Sequence, residues 1–295
     1  MGYAYMASAL ASFVVLAFAY RWADARKAKR LVMASVMGLT IAGCALLYAA
    51  ARGIDLRQAG TAALLLGCGL GLVQAILIPI FMAAVARGDL SLTWTVLQLS
   101  FALASAMVLV YPGERPTPAG VAGLVTAALA VALIGLDTMA RPRGHRVART
   151  RKGWAALMAV SFVLNAGCAY CYSLAAHFQG DGSLAHRLGF LLASGTVLAA
   201  GTFVLSLLVR RPGSRRASLT IGPVAGLCSF AGGMLLLASL GAGVPGYVLY
   251  PAAMGGSSVT VVVLSVLLLR ERPGRWGWCG IAAGVVALVL MGLAV

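Results

Sequence analysis

The chain has 295 residues, 61% of them hydrophobic and 10% charged, a balance that excludes a water-facing exterior and leaves lipid as the solvent. Its formal net charge is +16, yet the Lys and Arg residues lie between apolar stretches rather than on one face, which excludes a nucleic-acid-binding surface.

A helix needs about 20 mostly apolar residues to cross the hydrocarbon, and it must satisfy its own backbone polar groups there. Ten such runs follow one another, at approximately 2–20, 31–51, 59–86, 90–112, 119–138, 154–176, 188–209, 220–242, 244–269 and 277–295. The first has no short apolar region followed by a small-residue cleavage site, so it is expected to be a retained helix. Pro79 in the third run and Pro251 in the ninth predict a tilt or kink. Gly255, Gly256, Ser257 and Ser258 form a weak helical segment in the ninth, where a bend or a widened cavity is expected. All connections are short. The longest, Met139 to Gly153, is basic and reads as the hinge between a first unit at 1–140 and a second at 154–295, with 141–153 as a cytoplasmic linker.

The loops after the odd-numbered runs carry 19 of the 23 Lys and Arg residues, and the others carry only Arg52, Arg57, Arg115 and Arg187. By the positive-inside rule the basic loops are cytoplasmic and both termini lie outside the cytoplasm. The segment GERPTPAGVAGL returns as RERPGRWGWCGI, so that Glu271, Arg272 and Pro273 each stand 157 residues after Glu114, Arg115 and Pro116. Gly277, Gly280 and Gly292 follow Gly120, Gly123 and Gly135 at the same interval, the mark of a duplication. Five spans precede the same point in each unit, so the second copy enters the membrane in the opposite direction. The expected fold class is therefore an all-α integral membrane protein with ten transmembrane helices arranged as two inverted five-helix repeats.

GDLSLTWTVLQLS before GERPTPAGVAGL, and GYVLYPAAMGGSSVTVVVLSVLLLRERP before GWCGIAAGV, resemble the two EamA-type repeats of the drug/metabolite transporter superfamily. The resemblance spans nearly the whole chain. It implies a secondary-type transporter of small organic solutes working by alternating access in a bacterial inner membrane, with export the expected direction. Family members are commonly drawn with both termini in the cytoplasm, whereas the charge distribution here places them outside.

The acids Asp24, Asp55, Asp89, Glu114, Asp181 and Glu271 sit in connections, and Asp137 lies at the end of the fifth run beside Arg141. Without a carboxylate at mid-membrane, the expected cargo is neutral or zwitterionic, an amino acid or related metabolite. Efflux of hydrophobic amines or drugs, and flipping of a lipid-like carrier, are the alternatives. A membrane enzyme would need clustered acids, His or metal ligands, and a sensor would need an attached soluble module; the sequence offers neither.

Helical spacing groups the polar and aromatic candidates for substrate binding. Trp94 and Gln98 share a face of the fourth run; Tyr250 and Ser257 or Ser258 share one of the ninth; Asn165 and Tyr172 share one of the sixth; and Gln74 follows Gly67 and Gly71 on the third. Amides and phenols in such places bind the polar ends of a cargo while rings shape an apolar pocket. Alternatively they hydrogen-bond between helices or anchor at the interface. Cys168 and Cys171 form a CxxC in an apolar stretch and read as packing residues, and His177 and His186, flanking a short outer loop, are expected in solvent. No cofactor and no metal is expected. The expected partners are the small-molecule cargo and membrane lipid, for a chain acting as a monomer or a homodimer.

Overall fold

The computed structural model describes residues 1–87, 90–111, 115, 117–140, 151–178, 184–209, 212–269 and 274–292. The linker 141–150, the Glu114 and Glu271 turns, Asp89, Asp181, Arg210 and Arg211 lie outside the described residues.

Among the described residues the chain is all-helical: α1 (Gly2–Ala25), α2 (Arg30–Arg52), α3 (Thr61–Val85), α4 (Leu90–Gln98), α5 (Ser100–Val110), α6 (Pro118–Ala140), α7 (Arg151–His177), α8 (Leu184–Leu208), α9 (Arg215–Gly241), α10 (Gly246–Tyr250), α11 (Gly256–Leu269) and α12 (Arg275–Gly292). Eight stretches are long and apolar enough to cross a membrane, as a multi-pass membrane protein requires, and a shorter apolar stretch, Pro118–Ala130, opens α6. Large apolar side chains point outward at Leu47, Leu65, Leu208 and Leu267, as they do where lipid covers the surface.

Local chemistry sets several boundaries. α1 continues to Ala25, five residues past the expected end, so that Arg21, Trp22 and Asp24 occupy its last two turns, where charges and an indole are solvated at the interface. Before α3, the side chain of Asp55 accepts from the Arg57 N–H at 3.0 Å and caps a 3₁₀ turn, Leu56–Ala59, so the helix begins at Thr61 rather than at 59. Thr117 accepts from the Gly120 N–H at 3.1 Å ahead of Pro118, a hydroxyl N-cap with proline at the first helical position. Ser214 caps α9 in the same way through the Ala217 N–H.

Two of the runs expected to be single helices are interrupted. The fourth divides at Leu99 into α4 and α5, and the ninth contains a π-helical turn, Pro251–Gly255, between α10 and α11. A kink was expected at Pro251 and a bend or widening at Gly255–Ser258; the π turn begins at Pro251, which has no N–H to donate and whose ring crowds the preceding turn, and ends at Gly255. α3 runs through Pro79 without a break.

The helices interleave. α2 lies along α8 and α6 along α12; α1 packs on α9 and α3 on α7; α3 also packs on α8 and α2 on α9. Lipid is as apolar as Leu, so burial drives none of these contacts, and close van der Waals approach at small residues does. At one end of the bundle the Lys27 carbonyl accepts from the Ser214 N–H at 2.8 Å, and Lys29 N–H donates to Ser218 Oγ at 2.8 Å, joining the α1–α2 turn to the start of α9 through a parallel bridge between Ala28 and Ser214. At the other end Ser239 Oγ donates to the Gly2 carbonyl at 3.0 Å. His177 there is exposed as expected, its ring 5.5 Å from that of Tyr111. His186 is not in solvent: it is buried, with Nε2 2.9 Å from the Ala175 carbonyl oxygen.

Candidate functional site

A cavity of about 120 Å³ lies inside the bundle. Each wall is one face of a helix, with the three, four and seven-residue steps that align side chains. α3 supplies Gln74, Leu77, Ile78 and Phe81; α7 supplies Asn165, Cys168, Ala169 and Tyr172. α4 supplies Trp94, Leu97 and Gln98, and α1 supplies Phe13, Leu16 and Tyr20. Met37, Ser229, Leu236, Tyr250 and Met254 complete the lining. Among the described residues that line it there is no Asp, Glu, Lys, Arg or His.

Six of the eight residues expected to bind substrate therefore line one cavity: Gln74, Trp94, Gln98, Asn165, Tyr172 and Tyr250. Ser257 stands behind it, where its Oγ accepts from Gln98 Nε2 at 2.8 Å. Ser258 does not reach the cavity; its hydroxyl is buried without a hydrogen-bond partner among the described residues.

Most of the polar lining is held by the protein itself. Asn165 Nδ2 donates to Ser100 Oγ at 2.8 Å and to the Leu97 carbonyl at 3.3 Å, spanning the interruption at Leu99. Tyr250 donates to the Ala169 carbonyl at 2.8 Å and also meets Ser173 Oγ. The Tyr172 ring packs edge-on against Phe190, with centroids 5.3 Å apart. Trp94 Nε1 and Gln74 Oε1, on two of the lining residues, are buried without a hydrogen-bond partner among the described residues.

Tyr20, Phe81, Cys168 and Ser229 belong to the lining without having been expected there. Tyr20 stands beside Arg21 and reads as an interface anchor, but α1 extends beyond it. Its ring packs against Phe81 at 5.6 Å and Trp94 at 6.5 Å, and its hydroxyl lies 3.7 Å from Met37 Sδ. The spacing of Phe13, Leu16 and Tyr20 was the available signal. Cys168 and Cys171 are free thiols, and among the described residues no group of three or more His, Cys, Asp or Glu comes together to hold a metal ion.

No protein-family model matches the chain, and no curated protein does. Solved structures do. One, described only as "Crystal structure of protein", is 16% identical over 99% of both chains with a TM-score of 0.68. At that identity the likeness is one of fold. Among the described residues the chain is all-helical, with apolar helices enough for a multi-pass membrane protein, and its fold is similar to that structure's over nearly its whole length.

Proposed function

We propose that the chain is a secondary-type membrane transporter that exports small neutral or zwitterionic organic solutes, amino acids or related metabolites, by alternating access. It is not an enzyme. In this reading it has ten spans in two inverted five-helix repeats of the drug/metabolite transporter kind, residues 1–140 and 154–295 joined by the basic linker 141–153. It sits in a bacterial inner membrane with its basic loops cytoplasmic and both termini outside.

The packing supports the repeat. With α1, α2, α3, α4–α5 and α6 as the first five spans, and α7, α8, α9, α10–α11 and α12 as the second, exchanging equivalent members turns the α1–α9 contact into α7–α3. The same exchange turns α3–α8 into α9–α2 and returns α2–α8 and α6–α12 to themselves, and every one of these contacts is present. An in-plane pseudo-twofold axis has this consequence. The loops also sort as the charge parity requires, since the turn after α1 bonds to the one before α9, while Gly2 bonds to Ser239 at the opposite end.

The observation that carries the transport reading is the cavity lined by residues of both sets, next to the interruptions at Leu99 and Pro251–Gly255. Those breaks fall in equivalent spans, and helices broken at mid-membrane are where carriers hold cargo and bend. Purified protein in proteoliposomes is expected to accelerate exchange of labelled amino acids. Flux no greater than in empty vesicles across the common amino acids overturns the reading. Tags on the two termini are expected on the same face of the membrane.

A further inference from the structure

Charge parity sorts the Lys and Arg residues onto one side of the membrane, but it does not require two basic loops to touch. The fold brings two of them together. The α1–α2 turn and the lead into α9 are joined by the Ala28–Ser214 bridge, by Ser214 N–H donating to the Lys27 carbonyl, and by Lys29 N–H donating to Ser218 Oγ. Segments 21–30 and 212–220 hold seven Lys and Arg residues and one acid, Asp24. They form a single patch in which Arg21, Arg26, Lys27, Arg215 and Arg216 are exposed. Like charges gathered this closely repel, and the repulsion opposes the junction that gathers them.

The backbone of the turn points the same way. Lys27 follows the C-cap of α1 at φ 51°, a left-handed conformation that a β-carbon disfavours and that Gly usually fills. A cation therefore stands where the chain geometry alone favours glycine.

The surface beneath the patch identifies the counter-ion. On α9, Leu219, Val224 and Leu227 follow Arg216 by three, eight and eleven residues and form one exposed apolar face. On α1, Trp22 is exposed with the Arg26 guanidinium 6.0 Å from its ring centre, and indoles and long cationic side chains collect where headgroups meet hydrocarbon. A molecule that satisfies both the cations and the apolar face carries phosphate on acyl chains. A free phosphate or an acidic peptide meets the cations alone.

We propose that this composite patch is a binding site for anionic phospholipid, with the phosphate among Arg26, Lys27, Arg215 and Arg216 and the chains along α9. The bound lipid offsets the repulsion across the Ala28–Ser214 junction and so holds the α1–α2 turn against α9. The inference makes no use of the cargo and is independent of the transport reading.

Unfolding temperatures of the full chain in nanodiscs test it, with phosphatidylcholine alone compared with phosphatidylcholine containing phosphatidylglycerol. The anionic lipid is expected to raise the unfolding temperature by about 3–6 °C at ~0.05 M salt, and by less than half as much at ~0.5 M. Arg215→Gln together with Arg216→Gln is expected to remove most of that increment. Lys27→Gly is expected to reduce it while leaving stability in phosphatidylcholine unchanged or higher, since the variant relieves the turn; a loss of lipid response in this variant is therefore not a loss of fold. Arg52→Gln together with Arg57→Gln, at the opposite end of the bundle, is expected to keep the full increment. Millimolar inorganic phosphate is expected to give no shift. The proposal is overturned if the anionic lipid gives no increment, or if the increment survives high salt. An increment that persists in both the Arg215/Arg216 and Lys27 variants, an equal loss in the Arg52/Arg57 variant, or a phosphate shift as large as the lipid's also overturns it.

Discussion

Gly38 on α2 and Gly195 on α8 meet backbone to backbone. A β-carbon on Gly38 would stand 2.6 Å from the Gly195 carbonyl oxygen, and one on Gly195 would stand 2.8 Å from the Gly38 carbonyl oxygen. The two residues are 157 positions apart, the interval that separates Glu114 from Glu271. In the proposed repeats these two glycines would be equivalent, and their crossing would mark the pseudo-twofold axis.

Gly38→Ala and Gly195→Ala are each expected to destabilise the protein by about 1–3 kcal/mol, because the obstructing atoms are backbone and cannot turn aside. Gly43→Ala, on the same helix but with no atom within 4 Å of the added carbon, is expected to be neutral or to stabilise by about 0.5–1 kcal/mol. Equilibrium unfolding in mixed micelles reads all three, and equal effects at Gly38 and Gly43 would contradict the close crossing.

The Gln98–Ser257 bond ties α4 to α11 between two buried side chains. Ser257→Ala is expected to cost about 1–3 kcal/mol by stranding the amide. The double variant with Gln98→Leu is expected to be less destabilised than the sum of the singles, leaving a coupling of about 0.6–2 kcal/mol in a double-mutant cycle.

Asn165 holds Leu97 and Ser100 on either side of the break between α4 and α5. Asn165→Leu is expected to lower the unfolding temperature and to increase hydrogen exchange at residues 97–101 more than at α8. Exchange unchanged at that break would show that Asn165 does not brace it.

Binding in the cavity is expected to be independent of pH between about 5 and 8, since by reference chemistry no side-chain type that lines it changes charge in that interval. Transport rates in proteoliposomes measured across the interval check this, and a midpoint within it would point to a titrating group outside the described lining.

How much of this was legible depended on the physics of each feature. A long uncharged run in lipid satisfies its backbone as a helix, so run length found the helices, and the faces bearing Trp94 with Gln98 and Asn165 with Tyr172 followed from helical spacing. Which faces meet was harder to read. In a membrane the lipid side and the packed side are both apolar, so the spacing of Phe13, Leu16 and Tyr20 marks a face without saying which way it turns, and Ser229 carries no such mark. The break at Leu99 had no sequence signal, because Leu favours helix and the interruption is held from outside by Asn165. Pro251 did announce its distortion, and the glycines and serines beyond it drew attention one turn too far.

The bridge between Ala28 and Ser214 has a bearing on motion. It splices the hairpin of α1 and α2 to the hairpin of α8 and α9, and at the far end Ala59, just before α3, is lodged against Gly189 of α8. The α1–α2 hairpin is thereby fastened near both of its ends to the α8–α9 hairpin. If the molecule rocks, each swinging body draws helices from both the first and the second half of the chain, and the border between them does not run along the linker 141–153.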